Sequence, residues 1–169
     1  MPQPHSFPRR SARHQLCALT LFCLLLCAGC GGEEGPSGLP RADWRVLNGL
    51  DIVTGSVAPE LEPLLGPEVR LPGFIVPFED SLTAASTFLL VPNFGACVHL
   101  PPPAANQMVL VEMNEGRNVA VDLWSPDPVW IVGHLRVTES DSPWGAVGFS
   151  MRASATVPFT EGLGKNEKW

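Results

Sequence analysis

Val129-Trp130-Ile131-Val132-Gly133-His134-Leu135-Arg136-Val137 is a β-branched and aromatic run, too short and too rich in Val and Ile for a stable helix. It is followed by the turn formers Asp141-Ser142-Pro143-Trp144-Gly145 and by a second run from Ala146 to Val157. Two such runs around a Pro/Gly turn read as a hairpin. Upstream the same pattern recurs in Val69-Arg70-Leu71 leading to Phe74-Ile75-Val76, in Thr87 to Val91, in Met108 to Met113 and in Val119 to Leu123. Asn114-Glu115-Gly116-Arg117-Asn118 reads as another hairpin connection. Gly73 and Gly133 lie inside apolar runs and read as bends or bulges. The spacing predicts a mainly β fold, a small antiparallel OB-like barrel whose closure hides its strand edges. A short helix should precede it: Asp43 can cap a segment in which Trp44, Leu47 and Leu50 share one face, before Pro59, Pro63 and Pro67 interrupt regular structure.

The chain has 169 residues, 45% hydrophobic and 17% charged, with a formal net charge of −6. That suits one domain with a core large enough to fold without staples. Its acidity excludes nucleic acid as a partner, because phosphate binding needs a basic field.

Arg9, Arg10 and Arg13 precede an apolar run from Leu16 to Ala28, with no acidic residue before Glu33. A bilayer-spanning helix needs about 20 apolar residues, so this shorter run predicts a secretory signal over residues 1–29. It ends in Leu26-Cys27-Ala28-Gly29-Cys30, which resembles the lipobox of bacterial lipoproteins, with Cys30 as the lipidated residue and Cys27 where Leu is usual. The protein is then expected to be anchored to a membrane through lipid rather than to cross it. By the sorting habit of that class, Gly31 after the lipidated Cys implies the outer membrane, facing the periplasm. Residues 30–42 are Gly-, Pro- and Glu-rich and predict a flexible tether, residues 43–160 the barrel domain and residues 161–169 a polar C-terminal tail. Loss of residues 1–29 removes three Arg and leaves eight basic against 17 acidic residues, a net charge of −9.

Of five cysteines, Cys17, Cys23 and Cys27 leave with the signal and Cys30 takes lipid, so Cys97 is the sole thiol of the mature domain. A lone thiol in an oxidising compartment calls for burial, a metal or chemical use. Cys97-Val98-His99 is followed by Pro101-Pro102-Pro103 and Asn106-Gln107, and the prolines stiffen whatever precedes them. If extended, Cys97 and His99 face one way and form half a zinc or copper site. His134 reads instead as a residue on the solvated face of its strand, and Glu112 and Asp122 as exposed strand residues. Trp124, Trp130 and Trp144 read as core or rim packing.

Here the chain resembles a family of uncharacterised bacterial lipoproteins, domain-of-unknown-function family 3299. The resemblance rests on Val69, Gly73-Phe74-Ile75-Val76-Pro77, Phe88-Leu89-Leu90-Val91-Pro92, Gly95-Ala96-Cys97-Val98-His99, Pro101-Pro102-Pro103, Asn106-Gln107, Pro128-Val129-Trp130 and Gly133, within roughly residues 44–157. Ala104-Ala105 stand where the family pattern continues with proline. The resemblance implies an exported protein, with some members encoded beside ABC-type transport systems linked to metal uptake, and no established activity.

The expected function is a membrane-anchored envelope lipoprotein serving as a binding or accessory module in transport or Zn/Cu handling. Cys97 and His99 are its candidate metal ligands; Pro101, Pro102, Pro103, Asn106 and Gln107 form a candidate binding loop, and no catalytic residue is assigned. The alternative is a thiol enzyme with Cys97 as nucleophile and His99 as base. A third reading needs no chemistry: Cys97 buried as a small hydrophobe, with His99, Asn106 and Gln107 hydrogen-bonding backbone.

Overall fold

The computed structural model describes residues 38–78, 83–95, 101–121 and 127–160. The signal segment, Cys30, most of the tether and the tail 161–169 lie outside the described residues, as do Cys97, His99, Asp122 and Trp124. Among the described residues no helix is long and apolar enough to cross a membrane.

Helix α1 (Trp44–Leu47) starts where expected, with Asp43 Oδ1 accepting from the backbone N–H of Arg45 at 2.9 Å and of Val46 at 3.0 Å. These two bonds satisfy amides that a helix start otherwise leaves open. Trp44, Leu47 and Leu50 are all buried, and the Trp44 indole N–H donates to the Pro72 carbonyl at 2.6 Å.

The strands are β1 (Glu68–Pro77), β2 (Ala84–Ala85), β3 (Thr87–Val91), β4 (Val109–Met113), β5 (Val119–Ala120), β6 (Val129–Ser142) and β7 (Gly145–Pro158). Five of them close into a barrel in the order β1-β3-β4-β7-β6, with β6 returning to β1. Counted along the chain within the barrel, the order is first, second, third, fifth, fourth, which is compatible with the OB-like expectation. The expectation of an all-antiparallel barrel is corrected at one junction, because β4 and β7 run parallel, Val109 opposite Phe149 through Met113 opposite Ala153. Parity requires such a junction: a closed ring with an odd number of strands cannot alternate direction all the way round.

Gly73 sits where β1 changes partner. It faces Val129 of β6, and the next residue, Phe74, faces Val91 of β3. A Cβ there would come within 2.8 Å of Leu90 Cγ and 2.9 Å of the Val91 carbonyl oxygen, so only glycine lets β1 bend so close to β3. Gly133 marks a bulge. Val132 opposes Ala155 and Gly133 opposes Ala153, leaving Ser154 as the extra residue.

The turn at Pro143-Trp144 joins β6 and β7 as expected. The other predicted hairpin does not form: β5 follows the Asn114–Arg117 turn but pairs with β2, Ala84 opposite Ala120, in a separate two-stranded sheet. With β3 and β7 on its two sides, β4 has no edge left to offer β5.

Alternating residues of these strands fill the barrel, among them Leu71, Phe88, Leu90, Val109, Val111, Ile131, Leu135, Phe149 and Met151, and the apolar stripe of α1 joins them. Fully burying each of the larger side chains contributes about 1.5–3 kcal/mol. A second apolar cluster lies on the opposite face of β3, where Val76, Leu89, Val91, Met108 and Val147 are covered by Phe74, Phe78, Leu110 and Trp144. Strand β3 is therefore buried on both faces.

Candidate functional site

The segment between β3 and β4, residues 92–108, carries the Cys-x-His and the prolines, and both of its described ends are built into the frame. At the first end Pro92 is buried, Gly95 takes a left-handed φ of 76°, and Phe94 is 54% exposed with its ring tilted against Phe74 at 6.2 Å between centroids. This end leaves the frame beside the second apolar cluster, of which Phe74 is part. Residues 96–100, including Cys97 and His99, are outside the described residues.

The second end begins at Pro101 and Pro102, both exposed, and the half-buried Pro103. Ala104 is extended (φ −62°, ψ 154°) and starts a 3-10 turn over Ala105–Gln107. The Gln107 amide Nε2 lies 3.0 Å from the Trp44 carbonyl oxygen, 3.0 Å from Asn48 Oδ1 and 2.9 Å from the Asn106 carbonyl oxygen. Asn106 Nδ2 donates to the Leu50 carbonyl at 3.0 Å. These amides therefore hold the Trp44 carbonyl, which also takes the Asn48 N–H at 3.3 Å, and the Leu50 carbonyl just beyond α1. Each such bond contributes about 0.5–1.5 kcal/mol net. The candidate loop residues thus divide: Asn106 and Gln107 clasp the loop to α1, while Pro101 and Pro102 face solvent.

Other candidate ligands are engaged elsewhere. His134 is exposed on β6, as its alternation predicted, and its Nδ1 donates to the Gly66 carbonyl at 2.8 Å. Glu112 pairs with Arg152 at 2.7 Å across the parallel junction, both side chains about half exposed. Among the described residues no three His, Cys, Asp or Glu side chains converge as a metal site would require.

One arrangement was not foreseen from sequence. Trp130 is fully buried on the outside of the barrel, with the Arg70 guanidinium over its ring at 4.8 Å, Arg41 at 5.3 Å and Phe159 at 4.9 Å between centroids. Arg70 is only 6% exposed. Pro40 and Ala42 hydrogen-bond to Arg70 backbone, which brings Arg41 onto this face. Alternation along β6 sets Trp130 opposite in sense to Ile131, but the cover comes from the two ends of the domain, which no local pattern reveals.

The fold and this loop define a class: a small, mainly β, five-stranded barrel carrying a proline-stiffened insertion between its second and third barrel strands. The chain belongs to the DUF3299 family, proteins of unknown function, whose model matches residues 53–158. It is similar to the crystal structure of a DUF3299 family protein from Pseudomonas aeruginosa PAO1, at 30% identity and a TM-score of 0.57, over 75% of this chain and 100% of that one. A putative aspartyl-tRNA synthetase from Leishmania major Friedlin is matched at 10% identity and a TM-score of 0.41, over 89% of this chain and 27% of its own, a likeness too slight to carry argument. No curated protein matches the chain.

Proposed function

We propose that the protein is an envelope lipoprotein, anchored through Cys30 at the outer membrane and facing the periplasm, that serves as a binding or accessory module of an envelope transport system. In this reading Cys97 and His99 hold Zn or Cu. The observation that supports it is the clasp of Asn106 and Gln107 on α1 together with the seat of Phe94 on Phe74, since a loop with both ends fixed presents what lies between them at low entropic cost. One thiolate and one imidazole supply two of the four ligands of a tetrahedral site. The open positions suit a metal that is passed between proteins rather than stored.

The test is metal analysis of the full-length protein after mild purification. Stoichiometric Zn or Cu that is lost in both Cys97→Ser and His99→Ala is the expected result. Metal-free wild-type protein whose Cys97 alkylates rapidly and pH-dependently would replace this reading with the thiol enzyme, and an N-terminus without acyl chains would remove the anchor.

A further inference from the structure

We propose that a groove between the 51–56 turn and the outer part of the β6–β7 hairpin docks an extended segment of a second protein, one in which basic and apolar residues alternate. The groove has a volume of about 380 Å³, and Asp51, Glu139 and Asp141 line it with no Lys, Arg or His among its described lining residues. Between these carboxylates stand Ile52, 55% exposed, Val53, 89% exposed, and Val137, 37% exposed.

The turn that presents Ile52 and Val53 is locked from within. Asp51 Oδ1 accepts from the N–H of Val53 at 2.8 Å and of Thr54 at 3.0 Å, the Asp51 N–H donates to the Ser56 carbonyl at 2.9 Å, and the Gly55 N–H to the Asp51 carbonyl at 2.8 Å. Two adjacent aliphatic side chains are thereby held in water, at a cost that contact with a partner would remove. The other wall offers backbone. Pairing of β6 with β1 ends at His134, and the Gly66 N–H takes the Leu135 carbonyl. From Arg136 to Ser142 the outer edge of β6 carries no ladder among the described residues, although its inner edge pairs with β7 as far as Ser142, with a register shift between Val137 and Ser140.

An added strand can use such an edge for main-chain hydrogen bonds and place alternate side chains in the groove. Charge selects the occupant. Glu139 and Asp141, which outnumber Arg136 on that edge, repel an acidic strand and attract a basic one. The inference goes beyond the metal reading and stands on different residues, so failure of either leaves the other intact.

The test uses full-length protein in detergent and a fluorescent octapeptide of alternating Lys and Val, with alternating Glu and Val as control. We expect saturable binding of the Lys peptide alone, weakened roughly tenfold by Glu139→Lys with Asp141→Lys, in line with the reversal of two partly exposed charges. Ile52→Ser with Val53→Ser should weaken it several-fold, Glu60→Lys with Glu62→Lys, outside the groove, should not change it, and backbone amides of 136–142 should gain exchange protection. Equal loss from the Glu60 and Glu62 reversals, absence of protection, or a self-association through this face that the Glu139 and Asp141 reversals disperse would each overturn the proposal.

Discussion

Replacing Gln107 by Glu preserves the length of the side chain and exchanges its donor for an acceptor. The new carboxylate oxygen would face the Trp44 carbonyl, Asn48 Oδ1 and the Asn106 carbonyl, each within 3.0 Å of the present Nε2. Asn48 can turn its amide to donate instead, but the two backbone carbonyls cannot. Loss of two bonds at about 0.5–1.5 kcal/mol each gives roughly 1–3 kcal/mol, and acceptor–acceptor repulsion adds to it. Gln107→Ala loses the same bonds yet admits water to this half-buried site, so it should cost about 1–2 kcal/mol, less than Gln107→Glu. The pH dependence separates the two variants. Carbonyl neighbours disfavour the ionised carboxyl and raise its pKa in the folded state, so the Gln107→Glu protein should recover stability as pH falls through that raised value. Gln107→Ala should show no such recovery relative to wild type. Urea unfolding followed by tryptophan fluorescence at pH 7 and pH 4.5 measures both. Equal stability of Gln107→Glu and wild type at pH 7 would refute the clasp.

Three further outcomes are expected. Gly133→Ala drives a Cβ into the Arg152 carbonyl and to 2.8 Å from Ala153 Cα, backbone that cannot yield without moving the ladder; overpacking of this kind costs about 1–3 kcal/mol, visible as a lowered urea midpoint. Arg152→Ala should change the same midpoint little, by less than about 1 kcal/mol, because its pair with Glu112 is exposed. Backbone N–H bonds from Thr54 and Val53 hold the Asp51 carboxyl below its ordinary value of 3.8, so the bonds it makes are present above that value and lost as pH falls through the depressed one. An NMR titration of the Val53 and Thr54 amides should therefore show a midpoint below 3.8, and one at or above it would count against the locked turn.

Most of the barrel is legible from local pattern because its strands alternate between core and exterior and its two special glycines interrupt apolar runs. Gly73 and Gly133 both occupy irregular positions, and Asp43 caps the helix whose stripe it precedes. What escaped is non-local. Ala84-Ala85 has no strand signature, so nothing local identifies it as the partner of Val119-Ala120. Likewise no residue of β4 or β7 reveals that the two run parallel, since side-chain alternation is the same in either direction. At the candidate site, Asn106 and Gln107 were legible as backbone binders, but not that Trp44 of α1 and Leu50 just beyond it, some sixty residues earlier in the chain, supply the carbonyls.

One hairpin, β6–β7, fills the gap between β1 and β4 and so seals two open rims at once. During vectorial synthesis β1, β3 and β4 emerge first as a curled ribbon; β6 can then cover the margin of β1, but that of β4 stays bare until β7 has been made. The final strand acts as a keystone. A truncation shortly before Gly145 would leave, in place of a slightly weakened protein, an adhesive four-stranded remnant in which β4 and β6 each keep one bare margin, suited to aggregation or to capture by a chaperone.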